Sequence, residues 1–336
     1  MIRLAPIPST YGTISRQAVL PQLAKSSDTS ANVEQCAGDR SEMNATSRRR
    51  QADETLVIRK IGHVAFRTVD LDATVAFYRD QVGLEVTGEI DGGVYLRCNR
   101  SHHSLALIRG DQPAVDHLAL EVDTERDVDG WASRLESAGV SNKHSPKNNG
   151  HGASIRFRDP AGFVCEIYSD MELLPATYWS RAIKPLKLGH WTALTREFDQ
   201  QVEFYREVLG FRVSDWMAKD IVWLRCNTDH HGVAFLRSEH SALHHIAWQL
   251  LDWSEFRAAA DHLMAGDYRL DYGPGRHGPG NNLFMYFRDP DRHINEFYAD
   301  MLQIWDERAY EPLVWEANPV TLNQWGPGPT PEFMAG

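Results

Sequence analysis

From about residue 60 onward the chain alternates between two rhythms of apolar and polar positions. Stretches such as "KIGHVAFRT" (60–68), "DHLALEV" (116–122), "KLGHWTAL" (187–194) and "LHHIAWQL" (243–250) alternate, or run almost continuously apolar, as strands with one or both faces buried should. Between them, "LDATVAFYRDQVG" (71–83) and "DWSEFRAAADHLMAG" (252–266) place apolar residues at helical spacing and close on Gly, predicting amphipathic helices. Gly- and Pro-bearing turns then separate further short strands. The rhythm of strand, helix and further strands returns four times, which predicts four βαβββ modules, an α+β chain with mixed sheets curving around a pocket.

These modules are paired by an internal duplication. "IGHVAFRTVD" (61–70) returns as "LGHWTALTRE" (188–197), and "VAFYRDQVGLEV" (75–86) as "VEFYREVLGFRV" (202–213). "YLRCNRSHHSLALIR" (95–109) returns as "WLRCNTDHHGVAFLR" (223–237), "DHLALEV" as "HHIAWQL" (244–250), and "FRDPAGFVCEIYSDM" (157–171) as "FRDPDRHINEFYADM" (287–301). The offset drifts only from 127 to 130, so each half is one copy of a two-module domain. The predicted domains are 58–178 and 184–302, joined near "PATYWSRAIKPLK" (175–187), with a Pro- and Trp-rich tail over 303–336.

Composition narrows the class. A chain of 336 residues with 42% hydrophobic positions can build two cores. No apolar run approaches the roughly 18–20 residues that cross a bilayer, so a chain without a membrane partner is expected. A formal net charge of −11 argues against nucleic-acid and anionic-lipid surfaces. The four scattered cysteines form no CxxC pair, which suits a reducing, cytoplasmic setting. Residues 1–55 are rich in Ser, Thr, Gln and Arg and read as a disordered extension. The first 27 carry Arg3, Arg16 and Lys25 but no acid, a weak transit-peptide character, and a start at Met43 is the alternative.

Against this background, three strands of the second half carry ionisable groups where apolar side chains belong: His190, the pair His244 and His245, and Glu296. A buried carboxylate needs a cation or strong donors, and two imidazoles with one carboxylate form a ligand set for Fe(II) or Mn(II) with open positions. Register chooses within the histidine pair. His245 falls on His117 of the first half and His244 on Asp116, and strand neighbours face opposite sides, so His245 is expected to point inward.

With these residues in place, the chain over about 60–325 resembles the type I extradiol catechol dioxygenases of the vicinal oxygen chelate superfamily, the catechol and homoprotocatechuate 2,3-dioxygenases among them. Paired βαβββ modules forming partly closed barrels, with a non-haem Fe(II) (occasionally Mn(II)) in the C-terminal domain, are what that resemblance implies. Its metal ligands match His190, His245 and Glu296, and the spacing from His245 to His277, Tyr286 and Glu296 (32, 41 and 51 residues) is similar to the family's. His231, in "HHGVAFL", matches the acid–base histidine, for which a pKa near neutrality is expected. His277 and Tyr286 match residues that hydrogen-bond the substrate oxygens, and Trp223 matches an aromatic lining the ring pocket. The implied reaction inserts both atoms of O2 into a catechol beside its hydroxyls, giving a 2-hydroxymuconic semialdehyde-type product in aromatic catabolism. A homo-oligomer, by resemblance a tetramer, and a tail that covers the pocket mouth are further expectations. A superfamily isomerase or thiol transferase and a non-catalytic binding protein are the rival readings.

The first half keeps His63, His103, His117 and Glu166 opposite His190, His231, His245 and Glu296, while Arg156 stands opposite Tyr286 and Lys147 opposite His277. The family's pattern makes this half a scaffold, yet its complete ligand set leaves a second metal open.

Overall fold

The structure is a computed structural model that describes residues 56–147, 150–176 and 183–336. The expected N-terminal extension, its alternative start and residues 177–182 of the linker lie outside the described residues.

Four βαβββ modules are present. The first holds β1 (Lys60–Thr68), α1 (Leu71–Phe77), β2 (Glu85–Ile90), β3 (Gly93–Arg97) and β4 (Leu105–Arg109). The second holds β5 (Ala114–Glu121), α2 (Glu125–Ser137), β6 (Asn142–Ser145), β7 (Ser154–Arg158) and β8 (Val164–Tyr168). The third holds β9 (Lys187–Thr195), α3 (Phe198–Glu203), β10 (Arg212–Met217), β11 (Ile221–Arg225) and β12 (Val233–Arg237). The fourth holds β13 (Ala242–Gln249), α4 (Trp253–Ala265), β14 (Tyr272–Arg276), β15 (Leu283–Arg288) and β16 (Ile294–Ala299). The tail adds β17 (Leu313–Trp315), α5 (Pro319–Leu322) and α6 (Pro331–Met334).

Each half is one mixed sheet, ordered β2-β3-β4-β1-β5-β8-β7-β6 and β14-β15-β16-β13-β9-β12-β11-β10-β17. The opening strands of paired modules meet antiparallel at the centre, and each also runs parallel to the last strand of its own module. That arrangement brings the polar positions of β9, β13 and β16 onto adjacent strands. The sheets curl without pairing their outer strands: in the second half β9 and β11 to β16 all contribute to one cavity.

Local signals explain the helices. Thr124 caps α2 in a reciprocal capping box with Asp127, and the Asp252 side chain accepts from Glu255 N to start α4. The predicted helix over 71–83 is α-helical only to Phe77; Tyr78–Val82 form a wider π turn, which Gly83 closes at φ 88°. A π turn over Phe204–Val208 repeats this in the second half. The two turns aim tyrosines across the halves: Tyr78 donates to Asp289 Oδ2 at 3.0 Å and Tyr205 to Asp159 Oδ2 at 3.4 Å. One hydrophobic core spans both halves, with Trp131, Trp191 and Trp248 fully buried in it.

Candidate metal centre

Three neighbouring strands of the second sheet converge on one point. His190 Nε2 lies 3.0 Å, and His245 Nε2 3.3 Å, from the same oxygen, Glu296 Oε2. All three side chains are buried, and His190, His245 and Glu296 each place a ligand-type atom within 4.8 Å of the others. Glu296 Oε1 accepts a hydrogen bond from Asn282 Nδ2 at 3.3 Å. Burial by itself would raise the Glu296 carboxyl pKa, but the two imidazoles hold it well below the usual carboxylate range.

Hydrogen-bond partners assign the protons. His244 Nε2 faces the Phe333 carbonyl at 2.9 Å, so it must donate, and His244 Nδ1 is left as an acceptor. His245 Nδ1 then donates to it at 2.7 Å, which leaves the lone pair of His245 on Nε2, aimed at Glu296. A lone pair 3.3 Å from an anionic oxygen is repulsive unless a cation lies between them. Among the described residues no lysine or arginine pairs with Glu296. The N2O donor set therefore fits a divalent transition metal held by His190, His245 and Glu296.

A second relay stands behind His231. Asp215, buried on β10, accepts from His230 Nε2 at 3.2 Å, and His231 Nδ1 donates to His230 Nδ1 at 3.0 Å. His231 Nε2 is thus the lone-pair side, with its ring 4.4 Å from that of His190. The near-neutral pKa expected for His231 is corrected: burial, together with His190 and His230, pushes it well below the usual imidazole value. His231 is thereby held neutral, with its Nε2 lone pair left unprotonated. His277 Nδ1 donates to the Leu322 carbonyl at 2.6 Å, so Tyr286 donates its hydroxyl proton to His277 Nε2 at 3.0 Å. Burial lowers the His277 pKa to about 4 and, with Glu296, raises that of Tyr286 well above its ordinary value.

The cavity above Glu296 is walled by Ile221, Trp223, Ala234, Leu236, Leu322, Phe333 and Met334, with His231, His277 and Tyr286 at its polar end. No lysine or arginine lines it among the described residues. Two arginines near the site in sequence turn elsewhere: Arg276 binds the Asn281 carbonyl at 2.6 Å, while Arg288 binds Asp271 and the Arg292 carbonyl.

The family model described as "Glyoxalase/Bleomycin resistance protein/Dioxygenase superfamily" matches residues 60–167 and 187–297. The chain belongs to this superfamily. A manganese-dependent 2,3-dihydroxybiphenyl 1,2-dioxygenase of Geobacillus genomosp. 3 is 28% identical over 288 residues, 78% of this chain and 91% of that protein. A metapyrocatechase of Pseudomonas sp. (strain CF600) is 28% identical over 278 residues, 76% of this chain and 90% of that one. Among solved structures, a Mn(II)-bound glyoxalase from Novosphingobium aromaticivorans superposes with a TM-score of 0.77 at 30% identity, covering 82% of this chain and 94% of that one. The homoprotocatechuate 2,3-dioxygenase of Brevibacterium fuscum, in an anaerobic complex with 3,4-dihydroxyphenylacetate, gives 0.77 at 26% identity, covering 83% and 92%.

Within the superfamily fold, several residues of the site escaped sequence reasoning. Strand alternation was expected to turn one of His244 and His245 away. A register shift in the β9–β13 pairing between Leu243 and His245 leaves both buried at the cavity instead. The doublets His230–His231 and His244–His245 were the available signal, since each sets one imidazole behind another. Asp215 had none, because its repeat partner is Gly88. The pairing of His277 with Lys147 is corrected too: Lys147 is exposed and paired with Glu125, while His151 enters the first-half cavity.

Proposed function

We propose that the protein is an extradiol ring-cleaving dioxygenase, inserting both atoms of O2 into a catechol beside its hydroxyls to give a 2-hydroxymuconic semialdehyde-type product. The observation that carries this reading is the buried His190–His245–Glu296 donor cluster at the floor of an apolar cavity, with a neutral His231 and Tyr286 on its wall. The relatives named as 2,3-dihydroxybiphenyl dioxygenase and metapyrocatechase support it. A bound Fe(II), or Mn(II) as in the Geobacillus relative, would supply a common ion for catechol and O2 and a path for electron density between them.

The chain's own groups do the remainder. His231 Nε2, its tautomer set by His230 and Asp215, accepts a proton from a substrate hydroxyl and returns it to the developing product. Tyr286, its hydroxyl proton directed to His277, presents its phenol oxygen as a preplaced acceptor for a substrate hydroxyl. Trp223 and the aliphatic wall hold the ring and exclude water. In this reading the second domain (184–302) carries the reaction, the first (58–178) serves as scaffold, and the tail (303–336) closes the pocket.

The lining also selects the catechol. A substrate carboxylate would find no cationic side chain in the cavity, and an unpaired buried charge is costly, so the substrate is a catechol without a carboxylate, unsubstituted or bearing an apolar group. The test is an anaerobically iron-loaded sample offered a catechol panel, followed by O2 uptake and yellow product. One O2 per catechol is expected, with kcat/KM for 3-alkyl or 3-phenyl catechols at least about tenfold above that for 3,4-dihydroxyphenylacetate. No O2 uptake with any catechol, with metal bound, refutes the reading; conversion of a glutathione hemithioacetal without O2 would assign the site to the isomerase class.

A further inference from the structure

We propose that the first half holds a second divalent transition-metal ion, bound by His63, His117 and Glu166 with His151 as a fourth donor. The side chains are already gathered. His63 Nε2 and His117 Nε2 are 3.0 Å apart, and Glu166 Oε2 lies 3.3 and 3.4 Å from them. An ion with bonds of about 2.1 Å separates its ligands by about 3.0 Å in octahedral and about 3.4 Å in tetrahedral geometry. The three edges fall within that span. His151 Nε2 is 3.8 Å from the same Glu166 oxygen.

Proton placement again asks for a cation. His117 Nδ1 faces Asp116 Oδ1 at 2.9 Å, and a carboxylate only accepts, so His117 Nδ1 carries the hydrogen and Nε2 the lone pair. This is the carboxylate–histidine arrangement that orients a metal ligand. His151 Nδ1 donates to the Gly152 carbonyl at 3.1 Å, leaving its Nε2 free as well. Glu166 Oε1 is occupied by Ser154 Oγ at 3.0 Å and Arg156 Nε at 3.1 Å, whereas Oε2 is fully buried without a hydrogen-bond partner.

Arg156 is the rival cation. Its Nη2 lies 3.4 Å from His117 Nε2, in the place Tyr286 takes in the second half. Yet its side chain is one-third exposed and its Nε bonds Glu166 Oε1, which leaves Oε2 to the ion. The donor set, three imidazoles and a carboxylate, also differs from the N2O set of the second half and suits zinc or cobalt. This cavity of about 350 Å³ keeps His103 opposite His231 but has Arg156 in place of the tyrosine and Gly88 in place of Asp215.

The test is Co(II) titration of metal-free full-length protein, read by bound-metal stoichiometry and visible absorption. Two equivalents are expected in the wild type. Glu166→Gln and His117→Ala should each lose one, with Kd for that ion weakened at least about 100-fold, while His245→Ala loses the other. Arg156→Gln, which keeps every donor, should tighten the first-half ion and guards against a variant that merely unfolds. One equivalent in the wild type, abolished by His245→Ala, overturns the proposal. So do two equivalents that the first-half variants leave unchanged.

Discussion

Replacing Asp215 by asparagine tests the relay behind His231 most directly. The Asp215 carboxylate accepts four hydrogen bonds: Tyr310 OH at 3.1 Å and Leu313 N at 2.9 Å on Oδ1, and Trp315 Nε1 at 2.7 Å and His230 Nε2 at 3.2 Å on Oδ2. Asparagine offers one oxygen. Whichever way the amide lies, its NH2 meets one donor that cannot reverse, either Leu313 N–H or Trp315 Nε1–H. That orphaned donor, plus loss of charge assistance on the remainder, should cost about 2 kcal/mol. For a unit of this size the melting temperature should fall by about 4–8 °C. With the NH2 toward His230, the two imidazoles exchange tautomers: His230 Nε2 accepts, His230 Nδ1 donates, and the His231 lone pair turns away from the cavity. Turnover of an apolar catechol, with bound metal matched to wild type, should then drop at least about tenfold, or about 1.4 kcal/mol in the barrier. A variant with wild-type kcat and an unshifted melting curve would falsify the relay.

Further outcomes follow from the same geometry. Glu296→Gln keeps shape but removes the charge between two imidazoles, so the second-half metal and O2 uptake should be lost together, as bound-metal analysis and an oxygen electrode would show. Deleting residues 331–336 removes the Phe333 carbonyl that fixes His244 and, through it, His245; second-half metal affinity should weaken about 10–100-fold in an equilibrium titration. Burial raises the Asp159 pKa to about 6, so the folded state binds this proton more tightly than the unfolded chain. Its contribution to stability therefore grows as pH falls from 6 toward 4 and is lost as pH rises through 6, a swing of about 3 kcal/mol. Denaturant titrations should show wild type gaining about 2 kcal/mol on Asp159→Asn between pH 6 and 4, the rest of the swing lying outside that window; parallel curves would contradict it.

Which parts were legible in the sequence follows from what each part depends on. The modules were legible because strand alternation and helical spacing are local, and the duplication doubled every such signal. His190, His245 and Glu296 stood out because charge at a buried strand position has few explanations. The π turn at Tyr78 was not legible: its reward is the bond to Asp289, 211 residues away. Nor was His151, which enters its cavity past a gap that shifts the repeat alignment.

The sequence by itself determined the fold and the donor residues His190, His245 and Glu296 with their first-half counterparts His63, His117 and Glu166, since burial pattern and residue chemistry are written along one dimension. Only the tertiary structure decided which nitrogen of each histidine is free. That depends on one acceptor across space: the Phe333 carbonyl for His244 and so His245, Leu322 for His277, Asp215 for His230 and so His231, and Asp116 for His117. Three of these four acceptors come from the tail or from another strand, and a proton's position is set by what faces it rather than by the residue that carries it.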